Sequence, residues 1–539
     1  MAKSSKKISR YLPILFSIVL IIGFYLGFKL APSSSGTQNI FTINQNNYNR
    51  ISDILNYISR DYVDSVDRKN LEEHAIDGIL SELDPHSSFI TAEEFNAVND
   101  PLVGNFEGIG IQFRIIKDTI NIIQPIIGGP SIKVGLLAGD RIVQIEDTIV
   151  AGIGIKNSDA IKKLKGKKGT KVNIDIYRRG VNGLLNFTIT RDVIPTYSLD
   201  YKYMFDEKIG YIKLSKFSAT TYEEFSVAMK ELLDEGMEKL ILDLRGNVGG
   251  YLQIAIKLAD DFLKEGELIV YTEGNSRPCN YAYATKTGMF EDNELVVLID
   301  EGSASASEII AGAIQDNDRG LIIGRRSFGK GLVQEQLNFP DGSALRLTVS
   351  RYHTPTGRCI QRSYENGFSD YNHEFYNRIV NGELENADSI HFNDSLKYTT
   401  PKGKIVYGGG GIMPDIYVPL KSNEKDDYFF SLSGKGLTFQ FAFDYTDKNR
   451  QAFNKYKTPD SFIKEFKITN DLFNELVYYA ETKGIQENKK IIRQSKQKIQ
   501  ILLKAYIGRN IYDNEGFYPI YHKIDNEFLK AVEVLSESF

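Results

Sequence analysis

Two loops between residues 300 and 331 carry side chains capable of covalent chemistry. The first, Asp300-Glu-Gly-Ser-Ala-Ser-Ala-Ser-Glu308, follows the apolar run Glu294-Leu-Val-Val-Leu-Ile299 and leads into Ile309-Ile-Ala-Gly-Ala-Ile-Gln315. A serine at a strand-to-helix junction sits where helix N–H groups point outward, a setting that favours a developing oxyanion. Ser305-Ala-Ser-Glu308 also fits a capping box, in which the hydroxyl does no more than cap the helix, and spacing leaves both roles open. The second loop, Gly324-Arg-Arg-Ser-Phe-Gly-Lys-Gly331, imitates a phosphate-binding loop. Gly331 stands where such a loop needs the hydroxyl that holds magnesium, and no acidic strand end is placed for the metal, so a nucleotide site is a poor reading. Lys330 is left between two glycines that let the backbone turn tightly. By itself it reads equally well as a solvated surface charge.

The elements around these loops can be read from apolar periodicity. Residues 193–420 alternate strand and helix patterns. Lys239-Leu-Ile-Leu-Asp-Leu244 and Glu294–Ile299 are short continuous apolar runs, as central strands buried on both faces should be. Each leads through a Gly/Ser loop into a helix, which predicts an α/β core. Glu365–Thr400 is a polar insertion, and Gly408–Gly411 is a four-glycine loop. Residues 421–539 read as a helical region without a catalytic motif. Residues 47–98 also read as helical, up to Pro85. Residues 99–192 differ: five short β-rich runs surround one helical stretch, Ser158–Leu164. Glu107-Gly-Ile-Gly-Ile111 and Gly135-Leu-Leu-Ala-Gly-Asp-Arg-Ile142 resemble a PDZ domain. That resemblance implies that Gly108, Ile109, Gly110 and Ile111 offer N–H groups to a peptide's C-terminal carboxylate, the peptide adding as a strand.

Composition bounds the function. The 539 residues suit three or four domains, with 42% hydrophobic and 25% charged residues, a globular balance. A net charge of −5 makes a dedicated nucleic-acid binder a poor reading. Two cysteines, Cys279 and Cys359, allow one disulfide at most, and six histidines without a close pair give no metal-ligand pattern. At the N-terminus Lys3, Lys6, Lys7 and Arg10 precede the uncharged run Tyr11–Phe28. This predicts an uncleaved signal anchor over residues 1–31, a tether over 32–46, and a single-pass protein of the bacterial inner membrane with its catalytic part in the periplasm or otherwise outside the cytoplasm.

Taken together, Asp243-Leu-Arg-Gly-Asn-Val-Gly-Gly250, Gly302-Ser-Ala-Ser-Ala-Ser-Glu-Ile309 and Ser327-Phe-Gly-Lys-Gly-Leu-Val-Gln334 resemble the C-terminal processing peptidases, or tail-specific proteases. The resemblance runs from about residue 50 to 420. It implies an α/β core of the crotonase/Clp-protease type carrying an inserted PDZ barrel. It also implies a serine–lysine endopeptidase without metal, nucleotide or other cofactor. On it Ser305 is the nucleophile and Lys330, 25 residues downstream, the general base. Gln334 orients the lysine, and Glu308 and Asp316 are supporting acids. Ala306 N–H, with that of Gly249 or Gly250, forms the oxyanion hole. Leu83-Asp-Pro-His-Ser-Ser88 matches a further family segment, with His86 structural. The partners implied are proteins with apolar or unfolded C-termini. The competing readings are a catalytically inactive PDZ-based envelope scaffold and an ATP- or acyl-CoA-using enzyme of the related fold.

Overall fold

The apolar runs form the middle of a six-stranded sheet in the order Leu199–Met204, Ile209–Leu214, Lys239–Asp243, Glu294–Ile299, Leu321–Gly324, Ile416–Tyr417. The first two strands are antiparallel and the rest pair in parallel. This is a computed structural model, and it describes residues 16–23, 49–285, 287–420, 427–486 and 489–537. Parallel neighbours require crossovers, which here are the helices Thr221–Asp234, Leu252–Asp260 and Ala306–Asp316. Side chains alternate across the sheet. Leu240, Leu242, Leu295, Val297 and Ile322 pack with those helices. Ile241, Val296, Leu298 and Ile323 point the other way and pack with Leu432, Phe462, Leu503 and Phe528 of the C-terminal helices. The strands read as continuous apolar runs because both faces are covered.

A second, antiparallel sheet joins Ser88–Ile90, Ala344–His353, Leu268–Gly274 and Arg277–Tyr283, with Leu332–Asn338 also paired to Ala344–His353. The β-rich region is a sheet ordered Ile111–Ile115, Ile120–Pro125, Arg141–Ile145, Lys171–Tyr177, Leu184–Thr190, with the helix Asn157–Leu164. Its core is Ile120, Ile122, Ile142, Val172, Ile174 and Ile176. The chain enters and leaves this module through one antiparallel pair, Asn105–Gly108 with Asp192–Pro195. The polar insertion contains the helix Phe368–Val380. Two compact units are distinguished, residues 1–75 and 76–539. The first contains the helix Arg50–Asp61, capped by the Asn49 side chain on Ser52 N–H.

The predicted membrane anchor, and the inner-membrane placement built on it, are corrected. Among the described residues no helix is long and apolar enough to cross a membrane. Of the run Tyr11–Phe28 only Phe16–Gly23 is described, as helix. The rest of that run and the tether lie outside the described residues. Cys279 and Cys359 are both free.

Candidate active site

Ser305 is the residue before the first turn of Ala306–Asp316, a helix buried along its whole length. Its backbone has φ 54° and ψ −110°, a region that costs a non-glycine residue about 1–3 kcal/mol. The turn is held from both sides. Asp300 accepts hydrogen bonds from Gly246 N–H (2.8 Å), Gly302 N–H (3.0 Å) and the Ser303 hydroxyl (3.2 Å). Asn247, fully buried, accepts at its carbonyl from Ala304 N–H and from the Ser307 hydroxyl.

Lys330 follows the turn Arg325–Gly329 and enters the strand Leu332–Asn338 that carries Gln334. Its Nζ donates to Gln334 Oε1 at 2.9 Å, and Gln334 Nε2 donates to the His86 carbonyl. Burial lowers the Lys330 pKa below the ordinary lysine value, and the positive charge of Arg346 adds to the fall against Asp84 and Glu308. His86 is lowered to about 4, first by burial and then by the Lys330 charge, so its ring is neutral near pH 7. Its Nε2 meets the Tyr371 hydroxyl at 2.8 Å. His86 thus serves the lysine through its backbone. Asp84 shapes that turn by accepting from His86 N–H, Ser87 N–H and the Ser87 hydroxyl.

One carboxylate ties the serine turn to the lysine turn. Glu308 is fully buried and accepts from Ser305 N–H (2.8 Å), the Ser327 hydroxyl (2.5 Å), Gly329 N–H (2.7 Å) and Lys330 N–H (2.9 Å). Burial pushes its carboxyl up while these donors oppose the rise. The buried Tyr352 hydroxyl lies within 2.8 Å of the Lys330 carbonyl and 3.1 Å of the Ser305 carbonyl. The capping-box spacing is therefore real on the Glu308 side, yet the same residue spans two loops.

Ser305, Lys330, Gln334, Gly249, Gly250, Arg346 and Tyr352 line one cavity of about 410 Å³, with Leu252, Ile309, Leu332 and Val333 as apolar wall. Ser305 Oγ and Lys330 Nζ share it without a direct hydrogen bond among the described residues. Gly249, at φ 97°, approaches so closely that a Cβ would lie 2.8 Å from Ser305 Cβ and 2.9 Å from Ala306 N. The two glycines differ. Gly249 N–H donates to Asn247 Oδ1 at 2.9 Å, whereas Gly250 N–H and Ala306 N–H are unpaired among the described residues. Asp316 lies elsewhere, at the far end of the helix. There it pairs with buried Arg358 at 2.6 Å and accepts from the Thr354 and Thr356 hydroxyls.

The Gly108–Ile111 turn borders a separate cavity of about 520 Å³ between Ile111–Ile115 and the helix Asn157–Leu164, lined by Phe113, Ile161 and Leu164. The Ile109 carbonyl accepts from Ser131 N–H and Oγ, and that of Gly110 from Ile126 N–H. Both carbonyls are thereby turned inward, and the N–H groups of Ile109 and Gly110 are unpaired among the described residues. The Ile109 side chain, 2% exposed, belongs to the module's core. Sequence reasoning missed Tyr352, Arg346 and Ser327. Tyr352 and Arg346 sit in a strand as ordinary alternating residues, and nothing local marks them.

Comparison with known proteins identifies the family. Residues 208–367 match peptidase family S41, 108–189 a PDZ domain, and 22–94 the N-terminal domain of the activating protease CtpB. Residues 428–513 match a family of unknown function. A carboxy-terminal-processing protease of Bartonella bacilliformis is 38% identical over 353 residues, 64% of this chain and 80% of that protein. Carboxy-terminal processing protease CtpA of Bacillus subtilis is 33% identical over 359 residues, 65% of this chain and 75% of its own length. CtpB of the same organism is 37% identical over 317 residues, 58% and 65%. With an S41 peptidase fold and a PDZ domain, the chain belongs to the C-terminal processing peptidases.

Proposed function

We propose that this processing protease cuts peptide bonds with a Ser305–Lys330 dyad. Neutral Lys330 Nζ takes the proton from Ser305 Oγ, and the alkoxide attacks the substrate carbonyl carbon. The resulting oxyanion receives Ala306 N–H and Gly250 N–H. Lys330 returns its proton to the departing amine and the C–N bond breaks, leaving an ester on Ser305. Water, deprotonated by Lys330, then attacks the ester carbon; the bond to Ser305 Oγ breaks, Lys330 returns the proton to Oγ, and the product acid leaves and ionises to the carboxylate. Gln334 holds Nζ, and Glu308 holds the two turns at their separation. Gly249 supplies close approach, its own N–H being occupied. Asp316 supports the helix end through Arg358. The reading is carried by one observation: a buried lysine of lowered pKa shares a cavity with a serine flanked by unpaired N–H groups. The Gly108–Ile111 turn binds the carboxylate of the protein to be cut, with apolar side chains of its terminal residue entering the neighbouring groove.

Cleavage of β-casein tests the dyad. Ser305→Ala and Lys330→Arg should each abolish it while melting stays close to wild type, because guanidinium cannot be deprotonated. Substantial cleavage by either variant refutes the assignment, and an inert wild-type protein favours the scaffold reading.

A further inference from the structure

The helical region after residue 420 contains no catalytic motif, yet its last helix reaches the roots of all three loops around Ser305. Arg245 opens the loop that contains Gly249 and Gly250. It is paired with Asp243, its Nε donating to Oδ1 at 3.0 Å and its Nη2 to Oδ2 at 2.6 Å. Its outer edge is taken by Asp525 in a two-point contact, Nη1 to Oδ1 at 2.9 Å and Nη2 to Oδ2 at 2.8 Å. Nη1 also donates to Glu527 Oε2. The other oxygen of Glu527 accepts from Nη1 of Arg325, at the start of the lysine turn. Arg325 Nε donates to Glu301 at 2.7 Å, and Glu301 lies in the serine loop. The ions are largely enclosed: side-chain exposure is 13% for Arg245, 6% for Arg325, 10% for Glu527 and 3% for Asp525.

Buried ion pairs are a poor source of stability, since desolvation offsets most of their attraction. A bidentate guanidinium–carboxylate contact does have a narrow geometry, however. Two such contacts fix Arg245 between Asp243 and Asp525, and Glu527, bridging Arg245 and Arg325 with one oxygen each, links the oxyanion loop, the lysine turn and the serine loop at their roots. We propose that Glu527, seconded by Asp525, is a positioning residue of the hydrolysis: it sets the relative placement of the loops holding Gly250 N–H, Lys330 and Ser305. The proposal rests on the dyad reading. It makes the C-terminal region part of the reaction's framework as well as a cover for the sheet.

The test uses the full chain and a fluorogenic peptide with an apolar C-terminus. The wild type is first treated with a fluorophosphonate. Absence of labelling at Ser305 counts against the dyad itself, whereas the carboxylate variants bear on Glu527. Glu527→Gln keeps the shape and removes the charge. Its kcat should fall about tenfold or more with KM within about twofold, as expected for misplaced reacting groups. The labelling rate at Ser305 should fall by a similar factor. Asp525→Asn should act in the same direction. A structural role alone would lower the melting temperature and leave kcat per labelled site unchanged, which overturns the proposal. Should Glu527→Gln fail to fold, Glu301→Gln decides. That carboxylate is 24% exposed and leaves the Asp525–Arg245–Glu527 contacts intact. A lowered kcat at constant KM supports the proposal. Wild-type kcat in both Glu301→Gln and Asp525→Asn overturns it.

Discussion

At the scale of single residues, the site holds two groups in states that each cost free energy. Ser305 occupies a backbone conformation of positive φ, and Lys330 keeps an amine where its charged form is disfavoured. The first has a consequence for stability. Ser305→Gly should be as inactive as Ser305→Ala but more stable than it by about 1 kcal/mol, the relieved strain exceeding glycine's added freedom in the unfolded chain. Chemical denaturation of the two variants measures the difference; equal midpoints would mean the turn is unstrained. The second has a consequence for pH. In the proposed mechanism the neutral amine is the active form, so kcat/KM should rise along an alkaline limb lying below the ordinary lysine value of 10.5. Arg346 contributes to that lowering by charge repulsion. Arg346→Gln removes the repulsion, raises the Lys330 pKa, and should move the limb to higher pH. A limb that stays in place would show that burial alone tunes the lysine.

At the scale of elements, the turns are positioned by contacts from distant segments. Gly249 touches the Ala304–Ala306 backbone with no room for a side chain. Gly249→Ala should therefore push the two loops apart and reduce cleavage by about 10²-fold or more, with the fold retained by circular dichroism. Near-wild-type cleavage would argue that the loops separate during turnover anyway. The insertion helix Phe368–Val380 braces the lysine turn from outside. Arg378 Nη1 donates to the Ser327 carbonyl at 2.8 Å. Arg362, next to Gly329, lies 4.3 Å from the Phe328 ring and 4.0 Å from that of Tyr371. A segment that reads from sequence as a polar insertion thus packs against the turn that leads to Lys330.

At the scale of the whole molecule, the cavity at Ser305 and the cavity beside Gly108–Ile111 lie on different modules, and the proposed function assigns hydrolysis to the first and recognition to the second. A substrate ending in Ala-Ala should be cut faster than the same protein amidated or ending in Asp-Asp. Amidation removes the charge that unpaired N–H groups would hold, and acidic side chains are poorly received by Phe113, Ile161 and Leu164. Ile161→Asp, in the groove wall, should erase the preference while Ser305 keeps its reactivity toward a fluorophosphonate. Equal rates for all three substrates with the intact enzyme would assign the module another role.

The chain's local patterns determined a good deal by themselves. Continuous apolar runs at 239–244 and 294–299 mark central strands because a strand covered on both faces has no polar side to show. Ser305 and Lys330 stand out as candidates only through the segments that resemble the processing peptidases, because spacing alone leaves the serine a cap and the lysine a surface charge. The apolar run near the N-terminus is the exception: its length alone suggests a span, and among the described residues no helix is long and apolar enough to cross a membrane. Other features depend on which segments meet, and local spacing cannot encode that. Asn247 occupies Gly249 N–H and leaves that of Gly250 open. Glu308 and Tyr352 each join two turns, and Ile109 turns into its module's core. The C-terminal helices form the second layer over the sheet and bring Glu527 to Arg245 and Arg325. Apart from the local Asn247–Gly249 bond, these are contacts between segments separated in sequence, decided by how two covered faces and three loop roots pack at once. Only the tertiary structure brings those residues within hydrogen-bonding distance.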